Sequence, residues 1–167
     1  MTRKYAVGVV GSDDSKGMSH AYDLGKLLGD KDWVVISGGR NTGVMAEINR
    51  GLKDSARKCA IAVGILPSAD SKISPNVDVA VLTDLNNARN NIIGLSCNVL
   101  IACGIVGAGT ASEVALALKN NKCRVVILDA DPESKAFYAK LSGDISFVST
   151  PAQALQVCEA LHSRTFS

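Results

Sequence analysis

The chain is predicted to fold as one α/β domain over residues 1–167, a doubly wound parallel sheet of Rossmann-like, three-layer form. Three observations predict it. Short unbroken apolar runs, suited to strands buried on both faces, alternate with stretches of helical period along the whole length. The connections between them are short, with no interdomain linker, repeat or low-complexity segment. Several apolar runs end in glycine-rich or small polar turns, which is how strands end at the ligand-binding edge of such a sheet.

In order, residues 4–10 (Lys-Tyr-Ala-Val-Gly-Val-Val) form the first strand, and Gly11 to Ser15 a small polar loop. A helix over 18–28 carries Met18, Ala21, Tyr22, Leu24, Leu27 and Leu28 along one side. Trp33 to Ile36 make a second strand that runs into Ser37-Gly38-Gly39-Arg40-Asn41-Thr42-Gly43, and Val44, Met45, Ile48 and Leu52 follow at helical spacing. A third strand, Ala60 to Leu66, stops at Pro67; the polar stretch 68–76 is the expected lid or rim. Val77 to Leu82 reads as a fourth strand, followed by a helix holding Arg89, Ile92, Ile93 and Leu95. Val99 to Cys103 is the central strand. After it come glycines at 104, 107 and 109, with Thr110 opening a run of helix formers. Arg124 to Leu128 and Ile145 to Val148 are the last two strands. Asp131-Pro132-Glu133 places a cap, an N1 proline and an early acid at one helix start, and Thr150-Pro151 opens the final helix to about His162.

Composition narrows the functional classes. A net charge of +2 argues against a basic nucleic-acid stripe or a membrane-surface helix. No apolar stretch reaches membrane-spanning length, and the first residues enter a strand without a signal-peptide core. Five cysteines (Cys59, Cys97, Cys103, Cys123, Cys158) are odd in number and widely spaced, with no CxxC pair and no cysteine–histidine cluster. They read as free, mostly buried thiols in a reducing cytosol, and no metal site is expected. Of these, Cys103 ends the central strand and is the one positioned to face a ligand; a core role is favoured.

The strand–glycine loop–helix unit at 99–118 makes an anion site, because its backbone N–H groups are uncovered and end at a helix N-terminus. Loops 11–15, 37–43 and 104–110 should share one edge of the sheet. The expected ligand contacts are therefore Gly11, Ser12, Ser37, Gly38, Gly39, Arg40, Asn41, Thr42, Gly43, Val44 and Met45, with Gly104, Gly107, Ala108, Gly109 and Thr110. A dinucleotide site is disfavoured: the first turn reads Gly8-Val9-Val10-Gly11-Ser12-Asp13 rather than G-x-G-x-x-G, and no acid ends the second strand. Arg40 is either a phosphate fork or a solvated loop charge. Arg89 is placed to clamp an oxyanion. Glu113 is a dipole-favoured acid, the partner of Arg89, or a general base. His20 and His162 are lone helix histidines at the surface or satisfied.

Three segments together carry a family resemblance: Ser37-Gly38-Gly39-Arg40-Asn41-Thr42-Gly43-Val44-Met45, Ala88-Arg89-Asn90-Asn91, and Gly107-Ala108-Gly109-Thr110-Ala111-Ser112-Glu113. They resemble the superfamily of LONELY GUY proteins, once classed with lysine decarboxylases, whose enzymes cleave nucleoside 5′-monophosphates to base and ribose phosphate. Arg89 and Glu113 match that pattern's arginine and terminal glutamate. Gly104-Ile105-Val106-Gly107-Ala108-Gly109 lacks its Pro-Gly-Gly, and Ser112 stands where it has a second acid. Ala88 to Ile92, Ser96 to Leu100 and Gly109 to Lys119 are closer to the molybdenum cofactor carrier proteins of algae and cyanobacteria. That resemblance implies a cytoplasmic homo-oligomer, dimer or tetramer, that binds and protects the molybdenum cofactor without transforming it. It also implies exchange with cofactor-donating proteins or molybdoenzyme acceptors. Amide-rich loops would hold the phosphate and the molybdenum–oxo head, Arg40 and Arg89 would add charge, and Asn41, Asn86 and Asn90 would meet the pterin edge. The alternative is a phosphoribohydrolase with Arg89 and Glu113 as its catalytic pair.

Overall fold

The computed structural model describes residues 3–11, 15–105, 107–120, 123–142 and 144–165. Its chain order is β1 (Ala6–Gly11), α1 (Ser15–Gly29), β2 (Val34–Ser37), α2 (Gly43–Asp54), β3 (Ile61–Leu66) and β4 (Val79–Leu82). A 3-10 turn (Asn86–Ala88) leads to α3 (Arg89–Ser96), β5 (Val99–Cys103) and α4 (Ala108–Lys119). The chain closes with β6 (Arg124–Leu128), α5 (Pro132–Leu141), β7 (Ile145–Val148) and α6 (Pro151–Thr165). The strands form one seven-stranded sheet in the order β4-β3-β2-β1-β5-β6-β7, every pair parallel. The expected fold class is the one observed; Val99–Cys103, Arg124–Leu128 and Ile145–Val148 keep their expected bounds, and other strand and helix ends are displaced by at most three residues.

Period-two alternation divides the core. Val7 and Val9 of β1, with Tyr5 just before it, meet Leu24 and Leu28 of α1, Ile48 and Leu52 of α2, and Ala154 and Cys158 of α6. Ala6 and Val10 face the other way, toward Ile93 of α3, Val114 and Ala117 of α4, and Tyr138 of α5. Every residue of β5 is buried, which accounts for its uninterrupted apolar run. Helices α1 and α2 touch backbone to backbone: a Cβ at Gly25 would come within 2.5 Å of the Ile48 carbonyl oxygen, and one at Gly51 within 2.2 Å of that of Tyr22. Cys97, Cys103, Cys123 and Cys158 are buried free thiols and Cys59 is half-buried. Strand β4, at the edge, is exposed along its length.

The order reverses between β1 and β5, which pair from Val7 with Val99 to Gly11 with Cys103. Connections leaving these two strands diverge to opposite faces, opening a crevice above their carboxyl ends.

Candidate functional site

A cavity of about 350 Å³ fills that crevice. Val9, Val10 and Gly11 of β1 form its floor, and Gly38, Arg40 and Met45 come from the β2–α2 connection. Asn87, Arg89 and Asn90 enter from the start of α3, and Gly109, Thr110 and Glu113 from the first turns of α4.

Arg89, the first residue of α3, is buried and lies across the loop after β2. Its Nη1 donates to the Ile65 carbonyl at 2.9 Å, and its Nε is buried without a hydrogen-bond partner among the described residues. A Cβ on Gly38 would fall 2.4 Å from that Nη1 and 2.4 Å from Met45 Sδ, so only glycine lets the guanidinium rest against this backbone. Burial is the largest influence on Arg89 and pulls its pKa down; Glu113 opposes this and Arg40 adds to it. A guanidinium starts so far above neutrality that it stays charged.

Glu113 lies one turn beyond Thr110 and is 8% exposed. Burial pushes its carboxyl up to about 7, with Arg89 pulling the other way. Helices α3 and α4 are tied beside it: Asn90 Nδ2 donates to Ser112 Oγ at 3.3 Å, and Ser112 Oγ donates to the Gly109 carbonyl at 2.7 Å.

The glycine loop is braced from below and from the side. Ser37 Oγ accepts the Gly39 N–H at 3.2 Å and Asn49 Nδ2 at 3.5 Å. Gly39 turns through φ +70°, with its Cα packed on Gly64. The expected rim segment holds this turn: the Asn41 N–H donates to the Lys72 carbonyl at 2.9 Å, the Ser74 N–H donates to the Gly39 carbonyl at 2.8 Å, and Arg40 bridges antiparallel to Ile73.

Of the contacts expected from sequence, the structure brings together Gly11, Gly38, Arg40, Met45, Arg89, Asn90, Gly109 and Thr110 around the cavity. Ser37 and Gly39 stand behind it as supports. Asn41 and Thr42 are exposed, Gly43 turns into α2 at φ +52°, and Val44 is in the core. Asn86 points to solvent at φ +48°, and its neighbour Asn87 takes the place in the wall. Gly104 opens onto a separate small cleft with Lys16, His20, Asp129 and Asp131, where Lys16 pairs with Asp129. Gly107 and Ala108 are exposed at the head of α4, and Ser12 lies outside the described residues. Cys103 is fully buried in the α1-side core. Val9, Val10 and Asn87 are lining residues that sequence reasoning missed, because the valines carry the same signal as any core strand.

The arrangement suits a ligand with an anionic end: two arginines, uncovered loop backbone and one helix N-terminus converge on a partly apolar slot. Comparison with known proteins adds to it. The chain superposes on the molybdenum cofactor binding protein from the phototrophic bacterium Rippkaea orientalis with a TM-score of 0.87 at 39% identity, over 96% of this chain and 99% of that one. For the molybdenum cofactor carrier protein of Chlamydomonas reinhardtii the TM-score is 0.86 at 38% identity, with 96% and 99% covered. An uncharacterized protein of Archaeoglobus fulgidus is 38% identical over 118 residues, 70% of this chain and 75% of that protein. The SLOG cluster4 family profile matches residues 4–155. The chain belongs to the SLOG cluster4 family.

Proposed function

We propose that this protein binds, protects and carries the molybdenum cofactor, a pterin dithiolene bearing molybdenum and a phosphate, as cargo that it does not transform. What carries the reading is the cavity at the β1/β5 switch, with Arg40 and Arg89 in its wall, in a chain matching two proteins that bind or carry this cofactor almost end to end. The residues fit the cargo. Arg40 and the uncovered amides at the head of α4 suit the phosphate and the oxo head, which are anionic. Arg89 is anchored in the wall through the Ile65 carbonyl and keeps one buried donor, Nε, without a partner among the described residues. No cysteine is among the described residues that line the cavity, so release does not require breaking a protein thiolate bond to the metal.

The cellular setting proposed with it is the cytoplasm, and no helix among the described residues is long and apolar enough to cross a membrane. The protein is further proposed to be a homo-oligomer, a dimer or tetramer, exchanging cargo with cofactor-donating proteins or molybdoenzyme acceptors. Exposed Val79, Val81 and Leu82 on the edge strand support self-association.

One sample assayed two ways tests the function. Retention and protection of the cofactor after desalting, without release of free base from AMP and related monophosphates, supports the carrier. Sustained base release would overturn it and make Arg89 and Glu113 a catalytic pair, a reading favoured by their sharing one cavity with a carboxyl poised near neutrality.

A further inference from the structure

Glu113 is the one acid among the described lining residues, and it runs against the rest of the wall. An ionised carboxylate beside an anion site weakens that site. Glu113 is not spent on the arginines either, since no ion pair or hydrogen bond within the described residues engages its carboxyl. Its oxygens are not among the sealed polar atoms that lack a partner, so the carboxyl opens onto the cavity and is an acceptor available to a ligand.

Its depth says which part of the ligand. Glu113, Arg89 and Thr110 are all buried, while Arg40 is half-exposed and Gly109 fully exposed. The cavity therefore has a charged mouth, where an anion meets Arg40 and the α4 amides, and a deeper end where the apolar Val9 and Val10 lie with Arg89, Thr110 and the Glu113 carboxyl. Apolar wall beside a hydrogen-bonding carboxyl is the chemistry that a flat heterocycle with N–H groups on its edge would use. A carboxylate has two acceptor oxygens and pairs best with two parallel N–H groups, as a ring N–H next to an exocyclic amine provides.

We propose that Glu113 is the specificity residue of this pocket: its carboxylate accepts the ring N–H and the 2-amino group of a 2-amino-4-oxopyrimidine edge, the edge a pterin presents. The assignment of that edge to a pterin rests on the carrier reading. Guanine presents the same edge, so the recognition chemistry stands apart from that reading.

The test is fluorescence titration of 6-hydroxymethylpterin and of its 2-oxo counterpart, the matching lumazine, into wild type and Glu113→Gln. Circular dichroism confirms that the variant is folded. Wild type should prefer the 2-amino compound by ~10–100-fold, the range of a charge-assisted pair. Glu113→Gln offers one acceptor and one donor, which clashes with the 2-amino group and complements the 2-oxo group, so the preference should be lost or reversed. Absence of a preference in wild type, or an unchanged preference in the folded variant, overturns the proposal. Two further arms separate it from the carrier reading. Wild type that discriminates the pteridines but retains no molybdenum cofactor keeps Glu113's role and defeats the carrier. Competition by GMP, but not AMP, that exceeds the pterin keeps the edge and replaces the pterin with a guanine nucleotide.

Discussion

The carboxyl of Glu113 should make this protein less stable as pH rises, and Glu113→Gln should remove the effect. The folded value of about 7 stands against an ordinary 4.5, and burial is the cause. Between those two values the unfolded chain has released a proton that the folded chain still holds. The native state binds more protons there, so stability falls with rising pH and levels off above about pH 8. At 1.36 kcal/mol for each tenfold in proton affinity, 7 minus 4.5 corresponds to about 3 kcal/mol. Glutamine has nearly the same shape and no titration. Urea midpoints for both proteins at about pH 4 and pH 8 should therefore diverge in favour of the variant by about 3 kcal/mol at the higher pH. For a domain of this size that corresponds to ~6–12 °C in melting temperature. Parallel pH profiles would refute the reasoning. A variant that loses ground at high pH would show instead that Arg89 holds the carboxylate ionised.

Three other outcomes are expected. Gly109→Ala has open space around the added Cβ and sits in a helix. Stability should hold or rise by under ~1 kcal/mol, while cofactor retention drops because the methyl stands over the amides; equal retention would move the anion off the head of α4. Arg89→Lys should lower stability by ~1–3 kcal/mol, since the bond to the Ile65 carbonyl is buried. It should also weaken cofactor binding at least ~10-fold through loss of the planar fork, and equilibrium unfolding with a molybdenum retention assay reads both. Pterin affinity in wild type should fall as pH drops from 7 toward 5, approaching ~10-fold for each pH unit as the carboxylate takes up its proton. A flat profile would separate Glu113 from the pterin edge.

The architecture was legible because its signals are local and redundant. Apolar runs such as Val99 to Cys103 announce buried parallel strands, and the glycine loops announce their carboxyl ends. The site was legible in part, and the gaps have geometric causes. In sequence, loop 37–43 reads as one continuous contact surface, yet the left-handed turn at Gly39 presents Gly38 and Arg40 to the cavity and leaves Asn41 exposed. Asn86 and Asn87 are indistinguishable by composition, and it is Asn87, beside the positive φ of Asn86, that lines the cavity. Gly104 belongs to the same loop as Gly109 but opens onto the α1 side of the sheet. In one dimension Glu113 favours a structural role, as a dipole-favoured acid or the partner of Arg89, over a general base. Its burial without a partner separates these readings, and burial is set by α3 packing on α4 rather than by any neighbour in sequence.

The tie between Gly39–Asn41 and Lys72–Ser74 is made by main-chain atoms and a single antiparallel bridge. Side chains from 70 to 73 are therefore free to drift, whereas the number of residues there is not. One residue added or lost between Pro67 and Ser74 would move the Lys72 carbonyl and the Ser74 N–H off their partners at Asn41 and Gly39 and so disturb the turn that presents Arg40. In related chains, a gap in this stretch would mark a re-aimed arginine more surely than any substitution. Length, more than identity, is what the segment transmits to the pocket.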